Sequence, residues 1–246
     1  MADKSSDIVL SLIIPAYKCA DVFEKNFPKL KTHLQTLSCT YEVIIVDDGS
    51  NDDGRLKNIA QQLDCLYLFH EKNKGKGAAI KTGMNAACGK YKIFTDADIP
   101  YEYEAIDTML YFLSEQKIGM VVGDRKMMRS VYFEDVSRLR NIGSKFFSYL
   151  VGTLIVGGWY DTQCGIKGFS KEAADELFSL SRIDGFAMDV ELFYIALKKK
   201  YEIKRISVKL RSKDGQSVRV FLHGITMSFS LLKIIFFKLS GKYKLN

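Results

Sequence analysis

The sequence predicts an α/β fold: a mostly parallel, Rossmann-like central sheet flanked by helices, followed by a basic amphipathic helical extension. Three observations carry this. From Ile8 to Val122, short apolar runs of strand length alternate with segments of helical spacing, the pattern of βαβ units. The runs are nearly continuous rather than alternating, as strands buried on both faces are. Three of them end in polar loops, Pro15–Lys18, Asp47–Ser50 and Asp96–Asp98. An open α/β sheet gathers such loops at its ligand-binding edge.

In order along the chain, Ile8–Pro15 reads as the first strand, closed by proline. Val22, Phe23, Phe27, Leu30, Leu34 and Leu37 then recur at helical spacing, although Pro28 falls inside that helix. Tyr41–Val46 is the second strand, and Asn51-Asp52-Asp53 caps a helix reaching about Leu63. Cys65–Phe69 is the third strand. The glycine-rich basic turn Asn73–Gly77 opens a helix of small residues, Ala78–Cys88. Tyr91–Thr95 forms the fourth strand, a helix spans about Tyr103–Ser114, and Gly119–Val122 is a further strand. Ile142–Trp159 reads as a helix packed in the core, because its glycines, serines and lysine do not suit a bilayer span. The apolar positions Phe186, Val190, Phe193, Ile195 and Leu197 place Asp189 and Glu191 on a helix, either as acids of its first turn or as site residues.

Composition narrows the function. The 246 residues are 47% hydrophobic and 26% charged, ordinary for a globular chain, with only three prolines and no low-complexity run. The five cysteines are scattered and odd in number, which suits a reducing compartment and excludes a disulfide framework or cysteine metal site. The start, MADKSSD, carries no signal-peptide pattern. Charge is divided unevenly: residues 198–246 hold 13 Lys/Arg against 2 Asp/Glu, whereas residues 1–197 hold 23 against 27. A basic end that is also strongly apolar points to an anionic membrane surface rather than to nucleic acid.

The chemistry concentrates in IFTDAD, residues 93–98. Asp96 and Asp98 stand one residue apart at the tip of a strand, where a hard divalent cation can bind carboxylate oxygens and keep positions open for a diphosphate. An acid-rich turn is the plain alternative for a lone DxD. Asp47 and Asp48 are placed to bond a base or ribose, or else to form a tight turn with a helix cap. Lys74 and Lys76, with backbone N–H groups at a helix start, are placed to meet phosphate, or else belong to a solvated loop.

SLIIPAY, EVIIVDDGSND, NKGKGAAIKTGM, IFTDAD, VVGDR and DTQCGIKGF occur in this order. Together they resemble the inverting family 2 glycosyltransferases of the GT-A fold. DTQCGIKGF followed by GFAMDVELFYIA resembles the polyprenyl- or dolichyl-phosphate branch, its β-glucosyltransferase-like members in particular, and KDGQSVRVF resembles that branch's basic motif. The resemblance implies that Pro15, Ala16 and Tyr17 line a nucleotide pocket and that Asp47 contacts the base. It implies Asp96 on ribose or metal and Asp98 on Mg²⁺ or Mn²⁺. Arg125 would sit near the sugar or acceptor phosphate. Asp161, Gln163, Cys164, Gly165 and Lys167 would shape the sugar and acceptor side, and Arg219, with Arg211 and Lys213, would face phosphate. Two departures stand out: Lys18-Cys19 where relatives often carry Asn-Glu, and Ile99-Pro100-Tyr101 after the DAD.

A hydroxyl acceptor needs a general base, for which Asp161 is the nearby candidate; a lipid monophosphate is already anionic and needs cations such as Arg125, Lys167 and Arg219. The expectation is therefore a nucleotide-sugar-dependent hexosyltransferase, taking a UDP- or GDP-sugar (UDP-glucose foremost) as donor and a polyprenyl or dolichyl phosphate as acceptor. A family 2 enzyme acting on a sugar hydroxyl is the alternative. The GT-A domain is expected over residues 1–210 and a membrane-contacting extension over 211–246. In that extension Phe221, Ile225, Phe229, Leu232, Ile235, Phe236 and Leu239 recur at helical spacing among lysines 233, 238, 242 and 244. This helix either lies on the membrane or closes the core. The location expected is cytoplasmic, peripheral or monotopic at the membrane.

Overall fold

A computed structural model describes residues 8–130, 161–211 and 220–243, with residues 220–228 described by backbone alone. The stretch Ile142–Trp159 and the basic residues Lys213 and Arg219 lie outside the described residues.

The expected alternation is present. β1 (Leu10–Ala16), α1 (Ala20–Leu34), β2 (Tyr41–Asp47), α2 (Arg55–Gln62), β3 (Leu66–Phe69), α3 (Lys76–Ala86), β4 (Tyr91–Phe94), α4 (Glu104–Ser114) and β5 (Met120–Asp124) follow one another. After them come β6 (Lys167–Ser170), α5 (Lys171–Leu180), α6 (Met188–Lys198), β7 (Ile203–Ser207) and α7 (Val220–Leu239). Among the described residues seven strands form one sheet in the order β3-β2-β1-β4-β6-β5-β7. All pairings are parallel except those of β6, which runs antiparallel to both β4 and β5.

β6 and β7 are strands that apolar periodicity does not reveal. The four residues KGFS contain no apolar run, and IKRIS carries two cations. Helix α1 continues through Pro28: the carbonyl of Glu24 loses its helical donor, but Glu24 lies on an exposed part of the helix where water can replace it.

Strand alternation divides the core into two layers. Leu10, Leu12 and Ile14 point toward α1, α2 and α4, and Ile13 points toward α3, α5, α6 and α7. The chain builds outward from β1 to β2 and β3, then returns to place β4 on β1's other side. This reversal between β1 and β4 is the crevice where open α/β sheets bind ligands. The register sets Ala16 beside Asp47, and Ile13 beside Phe94, so the ends of β2, β1 and β4 open onto one edge.

Helix α7 closes the core with one face and leaves the other exposed. Ile234 is fully buried in the cluster formed by α3, α5 and α6, with Leu231, Ile235 and Phe237 packed against it. Beyond the helix, Tyr243 is also buried and donates its hydroxyl to Glu191 Oε1 at 2.9 Å. On the other face Phe229, Leu232, Phe236 and Leu239 are 58–80% exposed, a stripe at helical spacing. Truncating a buried Ile leaves a cavity, so Ile234→Ala is expected to lower stability by about 2–4 kcal/mol in urea unfolding. Leu239→Ser on the exposed stripe should stay within about 0.5 kcal/mol of the wild type.

Candidate active site

Each polar loop at the crevice is held by a carboxylate that accepts several bonds. At the end of β2, Asp47 Oδ1 accepts from the Ser50 N–H (2.9 Å) and hydroxyl (2.5 Å), and Oδ2 accepts from the Tyr67 hydroxyl (2.7 Å). Ser50 Oγ in turn accepts from the Lys18 N–H at 2.9 Å, which fastens the loop after β1 to the loop after β2. Asp48 Oδ1 pairs with His70 Nδ1 (2.6 Å) and accepts from the Lys74 N–H (2.9 Å), while Oδ2 accepts from the Gly75 N–H (2.8 Å). Both carboxylates are buried. The sequence places these acids on a base or ribose; in the structure their described bonds run to the protein, and they fix the loops around the crevice. Pro15 and Ala16 are buried in β1, and Tyr17 exposes its ring at the edge, with Lys18 Nζ 5.3 Å from the ring centre.

The Asp48 clamp sets the start of α3. Gly75 has φ +106°, and a Cβ there would lie 2.5 Å from the Asp184 carbonyl, so a side chain meets both strain and collision. That same carbonyl accepts from the Ala78 N–H at 3.0 Å. The turn presents Lys76, whose Nζ pairs with Asp96 Oδ1 at 2.5 Å and lies 5.9 Å from the Phe186 ring centre. Burial works against the Lys76 charge, but the carboxylates of Asp96 and Asp189 outweigh it and raise its pKa.

Asp96 follows β4, and Gly165 is packed against its carboxylate where a Cβ would collide with Oδ2. The Gly165 N–H donates to the Tyr101 hydroxyl at 3.2 Å, which holds the two loops together. Asp98 is half-buried, and its backbone carbonyl accepts from Asn26 Nδ2 at 3.0 Å. Burial first, and the neighbouring Asp96 charge second, push the Asp98 carboxyl up to about 6.

Arg125 and Asp161 form a forked pair. Arg125 Nη2 donates to Oδ1 (2.6 Å), its Nε donates to Oδ2 (3.0 Å), and its backbone N–H donates to Oδ2 (2.7 Å). Burial drives the Asp161 carboxyl upward, yet the Arg125 bonds and charge overcome it and hold the pKa below the ordinary value. A carboxylate so engaged is a poor general base, which alters the expectation for Asp161: it orients Arg125. Gln163 lies half-buried on the same loop.

Lys167 is also placed differently from the expectation. It is fully buried, donating to the Cys164 carbonyl (2.7 Å) and Asp189 Oδ1 (2.6 Å), and lies 5.4 Å from the Phe94 ring centre. It supports the loop from within and does not present its charge to a ligand. Arg211 donates to the Ile99 carbonyl at 3.3 Å and stacks 4.2 Å from the Tyr103 ring centre, beside the DAD loop. Tyr67 and His70, in β3 and just after it, are crevice residues that no motif singles out, whereas Tyr101 and Phe186 fall in the stretch after the DAD and in GFAMDVELFYIA, where nothing local distinguishes their part in the crevice.

A family model described as glycosyl transferase family 2 matches residues 11–178. The chain belongs to glycosyl transferase family 2. The dolichyl-phosphate beta-glucosyltransferase of Dictyostelium discoideum is 32% identical over 255 residues, covering 97% of this chain and 77% of that protein. The human protein of the same name is 30% identical, covering 96% of this chain and 78% of its own length. Among solved structures, Mycobacterium tuberculosis glucosyl-3-phosphoglycerate synthase with Mn²⁺, uridine diphosphate and glucosyl-3-phosphoglycerate superposes with a TM-score of 0.68. It is 16% identical, over 92% of this chain and 80% of the other. That likeness is one of fold, and the GT-A architecture expected from the motifs holds.

In this family 2 chain the pair Asp96 and Asp98 fits a hard divalent cation. Two carboxylates share a half-buried loop, and burial first, with the Asp96 charge second, raises the Asp98 carboxyl, a cost that a bound cation would offset. Among the described residues no cluster of three or more His, Cys, Asp or Glu suits a metal, so further coordination would come from diphosphate and water. The supporting role of Lys167 can be tested in the same chain. Lys167→Met leaves Asp189 buried without its cation and is expected to lose about 3–5 kcal/mol in urea unfolding. Lys167→Met combined with Asp189→Leu should recover most of that loss.

Proposed function

We propose that the chain transfers glucose from UDP-glucose to dolichyl phosphate, or a related polyprenyl phosphate, with inversion at the anomeric carbon and with Mg²⁺ or Mn²⁺ on Asp96 and Asp98. The observation that carries the acceptor assignment is the Arg125–Asp161 fork. The carboxylate best placed to deprotonate a hydroxyl is tied to a guanidinium and held ionised below its ordinary pKa, whereas a phosphate monoester brings its own negative oxygen and needs no base. The names of the relatives support glucose and dolichyl phosphate.

The geometry supports the following roles in this reading. The loops fixed by Asp47 and Asp48 shape the nucleotide pocket, with the exposed Tyr17 ring available to the base. Lys76, at the start of α3, faces the diphosphate and stabilises the charge that grows as the bond to the anomeric carbon breaks. Arg125, oriented by Asp161, holds the acceptor phosphate so that one of its oxygens attacks the opposite face of the sugar and UDP departs. The cation supplies further neutralisation of the departing diphosphate.

The exposed stripe of α7, flanked by Lys233, Lys238 and Lys242, suits a helix resting on a membrane surface with the lipid acceptor at hand. Among the described residues no helix is long and apolar enough to cross a membrane. In this reading residues 1–210 catalyse and residues 211–246 contact the bilayer.

Incubation with Mn²⁺ or Mg²⁺, a polyprenyl phosphate and either labelled UDP-glucose or GDP-mannose tests the reading. Label should enter the organic phase from UDP-glucose, and Asp98→Ala should reduce it at least about a hundredfold. Release of UDP without lipid labelling would move the acceptor to a hydroxyl. A second measurement concerns pH. Protons and Mn²⁺ compete for Asp98, so Mn²⁺ affinity in the presence of UDP should be level above pH about 6 and fall about tenfold per unit below it. Asp98→Asn should abolish that dependence.

A further inference from the structure

Between the loop that precedes α6 and the inner side of α7 lies a cavity of about 420 Å³. Its walls carry two cations, Arg182 and Lys233, and two rings, Phe236 and Phe237, with Asp184 as the single acid. Both walls are fixed to one buried carboxylate. Glu191 accepts from the Ser181 hydroxyl (2.7 Å) and the Arg182 and Ile183 N–H groups (3.0 Å each) on the loop side, and from the Tyr243 hydroxyl (2.9 Å) beyond α7. Arg182 Nη2 closes the same junction by donating to the Lys242 carbonyl at 3.1 Å. The cavity is therefore built into the attachment of α7, and its net charge is positive. Lys233 has no ion pair among the described residues. Phe236 belongs both to the cavity wall and to the exposed apolar stripe, so the cavity is continuous with the surface that would meet lipid.

We propose that this cavity seats the phosphate headgroup of an anionic membrane phospholipid, with Arg182 and Lys233 on the phosphate and the acyl chains running past Phe236 along α7. The proposal rests on the reading of α7 as a membrane-contacting helix. Phosphate favours paired cations, and an apolar outlet beside them fits a lipid better than a soluble phosphate ester.

The test uses dihexanoylphosphatidylserine as a soluble probe and vesicles of phosphatidylcholine with or without phosphatidylserine. The protein should bind the soluble probe saturably in calorimetry. The double variant R182A/K233A should bind it at least about tenfold more weakly. K198A/K238A removes equal charge from exposed groups that do not line the cavity and should leave the affinity nearly unchanged. A Cβ at Gly185 meets no atom within 4 Å, so Gly185→Leu adds bulk at the cavity wall without altering charge and should also weaken binding. The double variant also loses the Arg182 bond to the Lys242 carbonyl, so K233A alone, an exposed position that keeps that bond, should unfold with the wild type and still weaken probe binding. Equal weakening by both double variants, or no effect of Gly185→Leu, would overturn the proposal in favour of a diffuse cationic face. A raised KM of R182A/K233A for polyprenyl phosphate in phospholipid-free detergent would overturn it by giving the cavity to the acceptor. Vesicle binding without saturable probe binding defeats the cavity alone; absence of any vesicle binding defeats the membrane reading itself.

Discussion

The site depends on a row of alternating charges at the carboxyl edge of the sheet. Lys167 on β6 neutralises Asp189 at the start of α6, Asp189 and Asp96 together hold the Lys76 charge, and Lys76 faces the DAD loop. A carboxylate or ammonium taken from water carries a large desolvation cost unless a partner of opposite sign and further hydrogen bonds meet it. Every member here has such a partner, and the members come from β6, α6, α3 and the loop after β4. Four elements that are distant in sequence are thus fixed against one another where a charged substrate must enter. Removing the innermost member would disturb the outermost without touching it.

Much of this was legible in the chain. Continuous apolar runs located β1, β2, β4 and β5 within a residue or two, because strands buried on both faces leave a direct trace in composition. Glycine, aspartate and lysine between those runs located the ligand edge. β6 left no such trace: Lys167 reads as a cation for the acceptor phosphate until Asp189, 22 positions later, is known to cover it. The same limit explains Asp47 and Asp48. A sequence places an acid at the edge of a sheet but does not say whether its oxygens face a ligand or neighbouring N–H groups, since that depends on the turn geometry around Ser50 and Gly75.

Helix α7 shows a different limit. Its spacing was readable, yet an apolar stripe does not say what it packs against. The chain divides its apolar residues between two sides, with Ile234 inward and Leu239 outward. Glu191 is the reason the inward side stays seated: four donors from two separated segments converge on one buried carboxylate. The sequence reading left Glu191 between a first-turn acid and a site residue, and it proves to be the anchor of the carboxyl-terminal arm.

The antiparallel setting of β6 has an evolutionary corollary. β5 leaves the sheet at Asp124 and β6 re-enters it at Lys167, both at the edge where the crevice opens. Just beyond those two ends Arg125 and Asp161 are forked together, which ties the ends to each other. A change at Arg125 or at Asp161 alone would free both strand ends together, so the two positions must change in concert or not at all.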